Sequence, residues 1–355
     1  MKDRINTGRQ LELDVARVFA IFYMVIVHVY EEMGAVNYWS MPDSLFRGII
    51  EFTGGPLAAP VFMFVMGVGM VYTKHRNPRA FAIRGLKLLG ASYLLNVIRM
   101  TIPFLLARLS GDSWGYWTIV DTIGLVDILQ FAGVAFLLVA LLEKWKVGRY
   151  GILSIALLLQ GLGIVLLHSF DGLPRAAQYA VGLVFHTNSN VCFPLSLWFV
   201  YPAAGIVFGE FLQTVRDKKR MYDRIAVVSA AGLAGITAAM KHMGWDPVNV
   251  FALSRDSYYI QHLPGTLWTL FAVGLQLFIC YYISLHLSGA FLKATDFISR
   301  HVNTVYLIQW VLIPYIVVAM EAAGQPRLPA WAIVPAGILI AGVSIWLAKY
   351  ILVKL

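Results

Sequence analysis

LELDVARVFAIFYMVIVHVY, residues 11–30, is a membrane-length apolar run that nevertheless carries Asp14, Arg17 and His28. A charged or titratable side chain in hydrocarbon costs about 3 kcal/mol or more, so such groups face a protein interior or a water-filled cavity. As a helix the run turns about 100° per residue, and the eleven steps from Arg17 to His28 come to about three turns plus 20°. The two residues therefore share one face. At about 1.5 Å of rise per residue they lie about 16 Å apart, one toward each membrane surface. Asp14 falls one turn before Arg17 on nearly the same stripe, and Glu31 and Glu32 follow His28 at the i+3 and i+4 positions.

The rest of the chain agrees with a membrane setting. Its 355 residues are 59% hydrophobic and 13% charged, where soluble domains are roughly 25% charged. An all-α, polytopic membrane protein is expected, forming a single transmembrane domain over residues 1–355. A span needs about 20 apolar residues. Ten segments qualify, near 11–30, 55–73, 84–107, 119–142, 149–168, 192–213, 223–241, 263–286, 300–320 and 330–352. With the N-terminus in the cytoplasm, twenty lysines and arginines fall on the inner side and six on the outer, with Arg17 and Arg99 left inside spans. This asymmetry satisfies the positive-inside rule and puts both termini in the cytoplasm. It also accounts for the net charge of +9 without a nucleic-acid partner. The charged start before residue 11 resembles a signal peptide, but no small-residue cleavage site follows, so a retained first helix is expected. Cys192 and Cys280 are too few for a metal cluster and are assigned no role.

Several stretches carry chemistry beyond the first helix. In TGGPLAAPVFMFVMGVGM, residues 53–70, small residues allow close helix approach, and a Gly-Gly-Pro entry can also border a cavity. The densest basic run, YTKHRNPRAFAIRGLKLL (72–89), suits topology or anionic lipid, and equally a cytoplasmic polyanion held by Arg84 and Lys87 one turn apart. Arg99 and Asn96 lie late in the third span, and Asp121 and Asp127 begin the fourth, so that Arg99 and Asp127 can neutralise each other. The outer loops mix aromatic and polar residues. Most interfacial aromatics need no ligand, but Trp114 and Trp117, with Asp127, are the choice for a ring-shaped polar acceptor. No nucleotide-binding loop, serine-hydrolase elbow or zinc spacing is present.

An enzyme with a cytoplasmic activated donor and an outer acceptor needs basic residues at its inner mouth and a base near its outer end. Arg17, Arg84 and Lys87 suit the first role, for the anionic head of an acyl-CoA. His28 suits the second, as general base or transient acyl carrier, with Glu31 or Glu32 orienting its ring. A rival reading of the same stripe is a proton- or anion-coupled transporter using Asp14, Arg17 and His28, which the lack of an inverted repeat disfavours.

The order Leu13-Asp14-x-x-Arg17, followed after ten residues by His28, resembles the first helix of the acyltransferase-3 proteins. These belong to the transmembrane acyltransferase superfamily, together with heparan-α-glucosaminide N-acetyltransferase. GGPLAAPVFMFVMGVGM is similar to the second-helix signature on the heparan-type and bacterial branch. Arg84-x-x-Lys87 resembles an Arg-x-x-Arg element with a lysine at its second position, and SRHVNTVYLIQW (299–310) is similar to a late Ser…Tyr-Leu-x-His helix with Gln309 in place of the histidine. The resemblance implies acetyl transfer from acetyl-CoA, without a metal, to a sugar hydroxyl or amine of an extracytoplasmic glycan or glycolipid. It implies His28 as the catalytic residue with Arg17 as its partner. Asp14 and Glu32 complete the expected catalytic set, Arg99 joins the donor-binding set, and a bacterial cytoplasmic membrane is the expected location. Membrane lipid is the expected surrounding, and the oligomeric state is left open.

Overall fold

A computed structural model describes residues 4–35, 44–109, 117–252 and 258–354, with side chains to 351. The helices are α1 (Leu11–Met33), α2 (Leu45–Gly54), α3 (Ala59–Tyr72), α4 (Pro78–Asn96), α5 (Ile102–Leu109), α6 (Ile119–Gly124), α7 (Ile128–Lys144) and α8 (Arg149–Val165). They continue as α9 (Arg175–Gly182), α10 (Leu195–Trp198), α11 (Val200–Leu212), α12 (Lys218–His242), α13 (Leu263–Ser284), α14 (Gly289–Arg300), α15 (Val302–Ala322) and α16 (Ala330–Lys354). Among the described residues the only extended pairings are two isolated bridges, Gly34–Leu328 and Val126–Val191. Among the described residues, eight helical stretches are long and apolar enough to cross a membrane, and they match eight of the ten expected segments. The two others differ for visible reasons. Segment 149–168 forms a helix of only 17 residues, about 26 Å long. Segment 119–142 is broken between α6 and α7.

Capping chemistry makes that break. Thr118 and Asp121 form a capping box at the start of α6, and Asp127 and Gln130 form one at the start of α7. Each pair satisfies backbone donors that a continuous helix would use internally. The Asn96 amide then donates to the carbonyls of Ile123 (3.0 Å) and Leu125 (2.8 Å), fixing the open backbone against α4. A second irregularity lies just beyond, where a π-helical turn, Val97–Thr101, joins α4 to α5. Pro103 has no N–H to give to the preceding turn, and the Ile98 carbonyl instead accepts from the Tyr315 hydroxyl at 3.1 Å. Arg99 sits on this turn and is 2% exposed.

The glycines of α3 pack as small residues should. A Cβ on Gly67 would lie 2.1 Å from the Pro202 carbonyl oxygen, and one on Gly205 would lie 2.0 Å from that of Phe64. The α3 and α11 backbones are therefore in direct contact. The Gly54–Ala58 turn between α2 and α3 is the irregular entry considered for this sequence, and Gly54 packs on Val27 of α1. The central core joins α1, α3, α7, α11 and α15 through residues such as Met24, Met63, Phe131, Tyr201 and Tyr306.

Candidate active site

Two cavities follow α1. The one around its second half holds about 380 Å³ and is lined by His28, Glu31, Glu32, Arg99, Trp117 and Asp127, with aromatic walls from Phe193, Tyr258, Tyr259, Tyr306 and Trp310. The one around its first half holds about 270 Å³ and is lined by Arg17, Arg84, Ser299, Arg300 and Asn303 with apolar residues of α3 and α7. They share no lining residue, yet the same elements wall both: α1, α3, the α4–α5 helix, α7 and α15. A third hollow of about 290 Å³ lies against the N-terminal segment and is lined by Arg9, Asp14, Arg17 and Lys74. Arg17 thus stands between two spaces rich in cations.

His28 is held from three sides. Its Nδ1 lies 3.2 Å from the Gln309 Oε1, so Nδ1 carries the proton and donates. Its ring packs on Trp310 with centroids 4.0 Å apart, and Tyr306 meets it edge-on at 6.4 Å. In this tautomer Nε2 is bare and can accept a proton. It has no partner among the described residues. Gln309 is fully buried, and its Nε2 is unpartnered. The hydrogen-bond partner of the ring is Gln309, where the sequence suggested Glu31 or Glu32. Both glutamates line the cavity, and neither hydrogen-bonds the ring among the described residues. Neither carboxylate has a hydrogen-bond or ion-pair partner among the described residues, which leaves two acidic groups facing this space.

Arg99, expected with the donor, belongs to the His28 cavity. Its Nη2 donates to Asp127 Oδ2 at 2.8 Å and to Asn96 at 3.3 Å, and its guanidinium lies 4.3 Å from the Trp310 ring centre. The Tyr306 hydroxyl donates to the same Asp127 oxygen at 3.0 Å. Arg99 and His28 thus both pack against Trp310, with Asp127 balancing the buried cation. The charge-neutralising pair expected between Arg99 and Asp127 is present and also forms part of the wall. Trp117 lines the cavity, whereas Trp114 lies outside the described residues.

The first-half cavity is built differently. Arg17 Nη1 donates to Asp14 Oδ1 at 2.9 Å and to Ser299 at 3.2 Å, and Ser299 donates to Asp14 at 2.5 Å. Arg9 also reaches Asp14 at 2.5 Å. Arg17 is thus partnered by Asp14 and not by His28, although both lie on the predicted stripe. Arg84 has no carboxylate partner among the described residues, and its guanidinium lies 4.7 Å from the centre of the Phe136 ring. Lys87 is exposed and absent from the cavity wall. Three residues subtend about 300°, which turns it some 60° away from Arg84. Arg76 of the basic loop is committed to Glu143 (2.7 Å) and Glu210 (3.1 Å). Burial works against its charge, but the two carboxylates outweigh burial and hold its pKa above the ordinary arginine value.

On the far side, Asp121 accepts from Arg175 (2.6 Å) and Tyr179 (2.7 Å), and Asn190 donates to the Tyr179 hydroxyl at 2.9 Å. Burial and the Asp121 contact push the Tyr179 pKa up to about 12. This cluster ties segment 118–126 to segment 188–193, and both segments supply walls of the His28 cavity. Cys192 and Cys280 are free.

The family model described as heparan-alpha-glucosaminide N-acetyltransferase, catalytic, matches residues 9–240. The chain belongs to this family. Membership supports an acetyltransferase activity for this membrane protein. A comparison with curated proteins found no match. The heparan-alpha-glucosaminide N-acetyltransferase match takes in His28, Arg17, Arg84, Arg99 and Asp127, while Gln309, Tyr306, Trp310 and Ser299 lie beyond it. Both cavities are therefore closed by helices outside the matched segment.

Proposed function

We propose that the protein moves an acetyl group from acetyl-CoA, bound at the Arg17 end of α1, to an amine or hydroxyl of a glycan bound at the His28 end. The observation that carries this proposal is the pair of cavities walled by the same helices, one lined by Arg17, Arg84 and Arg300 and the other by His28. The donor set fits a polyanion, since Arg84 has no carboxylate partner among the described residues, Arg17 retains donors beyond its contacts with Asp14 and Ser299, and Asn303 adds an amide. The basic excess on one side of the membrane supports a cytoplasmic position for this end and for both termini.

At the other end, His28 Nε2 accepts the proton of the acceptor nitrogen or oxygen as that atom bonds to the acetyl carbonyl carbon. The carbon–sulfur bond then breaks, and His28 returns the proton to the departing sulfur. Gln309 holds the tautomer that leaves Nε2 free, and Trp310 fixes the plane of the ring. Glu31 and Glu32 favour an acceptor that arrives as an ammonium group, which releases one proton to a glutamate carboxylate before attack and leaves its second for His28 as the bond forms, and Trp117, Tyr258 and Tyr259 offer faces for a sugar ring. The protein acts as a single transmembrane domain in the cytoplasmic membrane of a bacterium.

Purified protein given radiolabelled acetyl-CoA should label a glycan ending in glucosamine. An absence of transfer to both amine- and hydroxyl-bearing glycans, while acetyl-CoA is bound, would overturn the proposed reaction.

A further inference from the structure

A strongly apolar hollow lies away from both cavities. It holds about 600 Å³ between the α12–α13 hairpin and the α3–α11 pair, with Phe64, Phe208, Phe211, Val228, Leu270 and Leu277 among its walls. Arg220 and Arg224 also line it. They stand at i and i+4 on α12, on one side of the helix and at the charged end of that membrane span. Neither guanidinium pairs with a carboxylate among the described residues. Asp217, the one carboxylate in the lining, uses Oδ1 to cap the Arg220 N–H at 2.9 Å.

From Arg220 to Ser229 the groove wall follows nine residues of α12, about 13 Å. It thus runs from the charged end of the span into its apolar interior. Only 11% of the apolar window of α12 is buried inside the protein, so the surrounding membrane must cover the remainder. The shape and the charges together define the occupant: an anionic head against two free arginines and a hydrocarbon chain along the aromatic and aliphatic walls.

We infer that this groove seats one anionic phospholipid, its phosphate between Arg220 and Arg224 and an acyl chain running past Phe208 and Val228. Basic pockets between membrane helices hold phosphate-bearing head groups through the same pairing. The bound lipid fills the space beside α3 and braces the α12–α13 hairpin against the bundle, independently of the chemistry at His28.

Native mass spectrometry of the detergent-purified protein tests this, using phosphatidylglycerol and phosphatidylcholine with identical acyl chains. One phosphatidylglycerol should be retained with a preference of about tenfold over phosphatidylcholine. The double variant Arg220→Ala, Arg224→Ala, at exposed positions that leave the core intact, should bring the preference close to one. Ala204→Phe should lower retention of both lipids by filling the groove. Glycerol 3-phosphate, which has the head-group charge without chains, should not compete. Equal retention of the two lipids by the native protein, an unchanged preference in the double variant, or competition by glycerol 3-phosphate would each overturn the inference.

Discussion

His28→Ala should lower kcat for acetyl transfer by about 10²- to 10⁴-fold, the range for loss of a positioned general base, with acetyl-CoA binding unchanged. The specificity of this expectation comes from the surroundings of the ring. Gln309 occupies Nδ1, Trp310 covers one face at 4.0 Å, and Nε2 alone remains for a reacting proton. His28 lies about 16 Å along α1 from Arg17, so its removal leaves the cation-lined cavity intact. The substitution is at a cavity wall and removes no ion pair, so the melting temperature should stay near that of the parent. Single-turnover kinetics with saturating acetyl-CoA provides the check. Undiminished transfer by His28→Ala would remove this histidine from the reaction.

The double variant Arg17→Ala, Arg84→Ala should weaken acetyl-CoA binding by about a hundredfold or more. Each hydrogen bond to a charged group contributes about 1.5–3 kcal/mol, and 1.4 kcal/mol is a factor of ten in affinity. Asp14 keeps Arg9 and Ser299 as partners when Arg17 is removed, so the start of α1 is not left with an isolated carboxylate. Arg84 loses only its stacking on Phe136. Salt should also weaken binding less in the double variant than in the native protein, because two of the charges being screened are gone. Isothermal titration at two salt concentrations separates these results. An affinity within twofold of the native value would place the donor elsewhere.

Much of this arrangement was legible in the chain itself. The stripe of Asp14, Arg17 and His28 follows from helical rotation alone, and the positions of Arg17 and His28 in two cavities walled by shared helices have that origin. Eight spans were legible because each is long and evenly apolar. The high apolar content of residues 119–142 hides the break between α6 and α7, although Thr118-x-x-Asp121 and Asp127-x-x-Gln130 are capping patterns visible in sequence. The π-turn that carries Arg99 had a weaker signal, Pro103 four residues downstream.

Contacts between distant parts of the chain were the least accessible. Gln309 lies 281 residues from His28, and nothing local to either residue specifies their meeting. Glu31 and Glu32 are the nearer candidates in sequence and line the same cavity, but neither hydrogen-bonds the ring among the described residues. Arg99, expected in the donor set, is instead drawn to the opposite cavity by Asp127, reached only through the α6–α7 break. Lys87 shows the converse, where similar charge and close spacing did not amount to a shared face.

The most direct test is a cryo-electron-microscopy structure of the protein with acetyl-CoA bound. Density for the phosphates should lie beside Arg17, Arg84 and Arg300, with the thin arm passing along α1 and the acetyl carbonyl within reach of His28 Nε2. Density for the whole ligand at any site that leaves the acetyl group remote from His28 would contradict transfer across the two cavities.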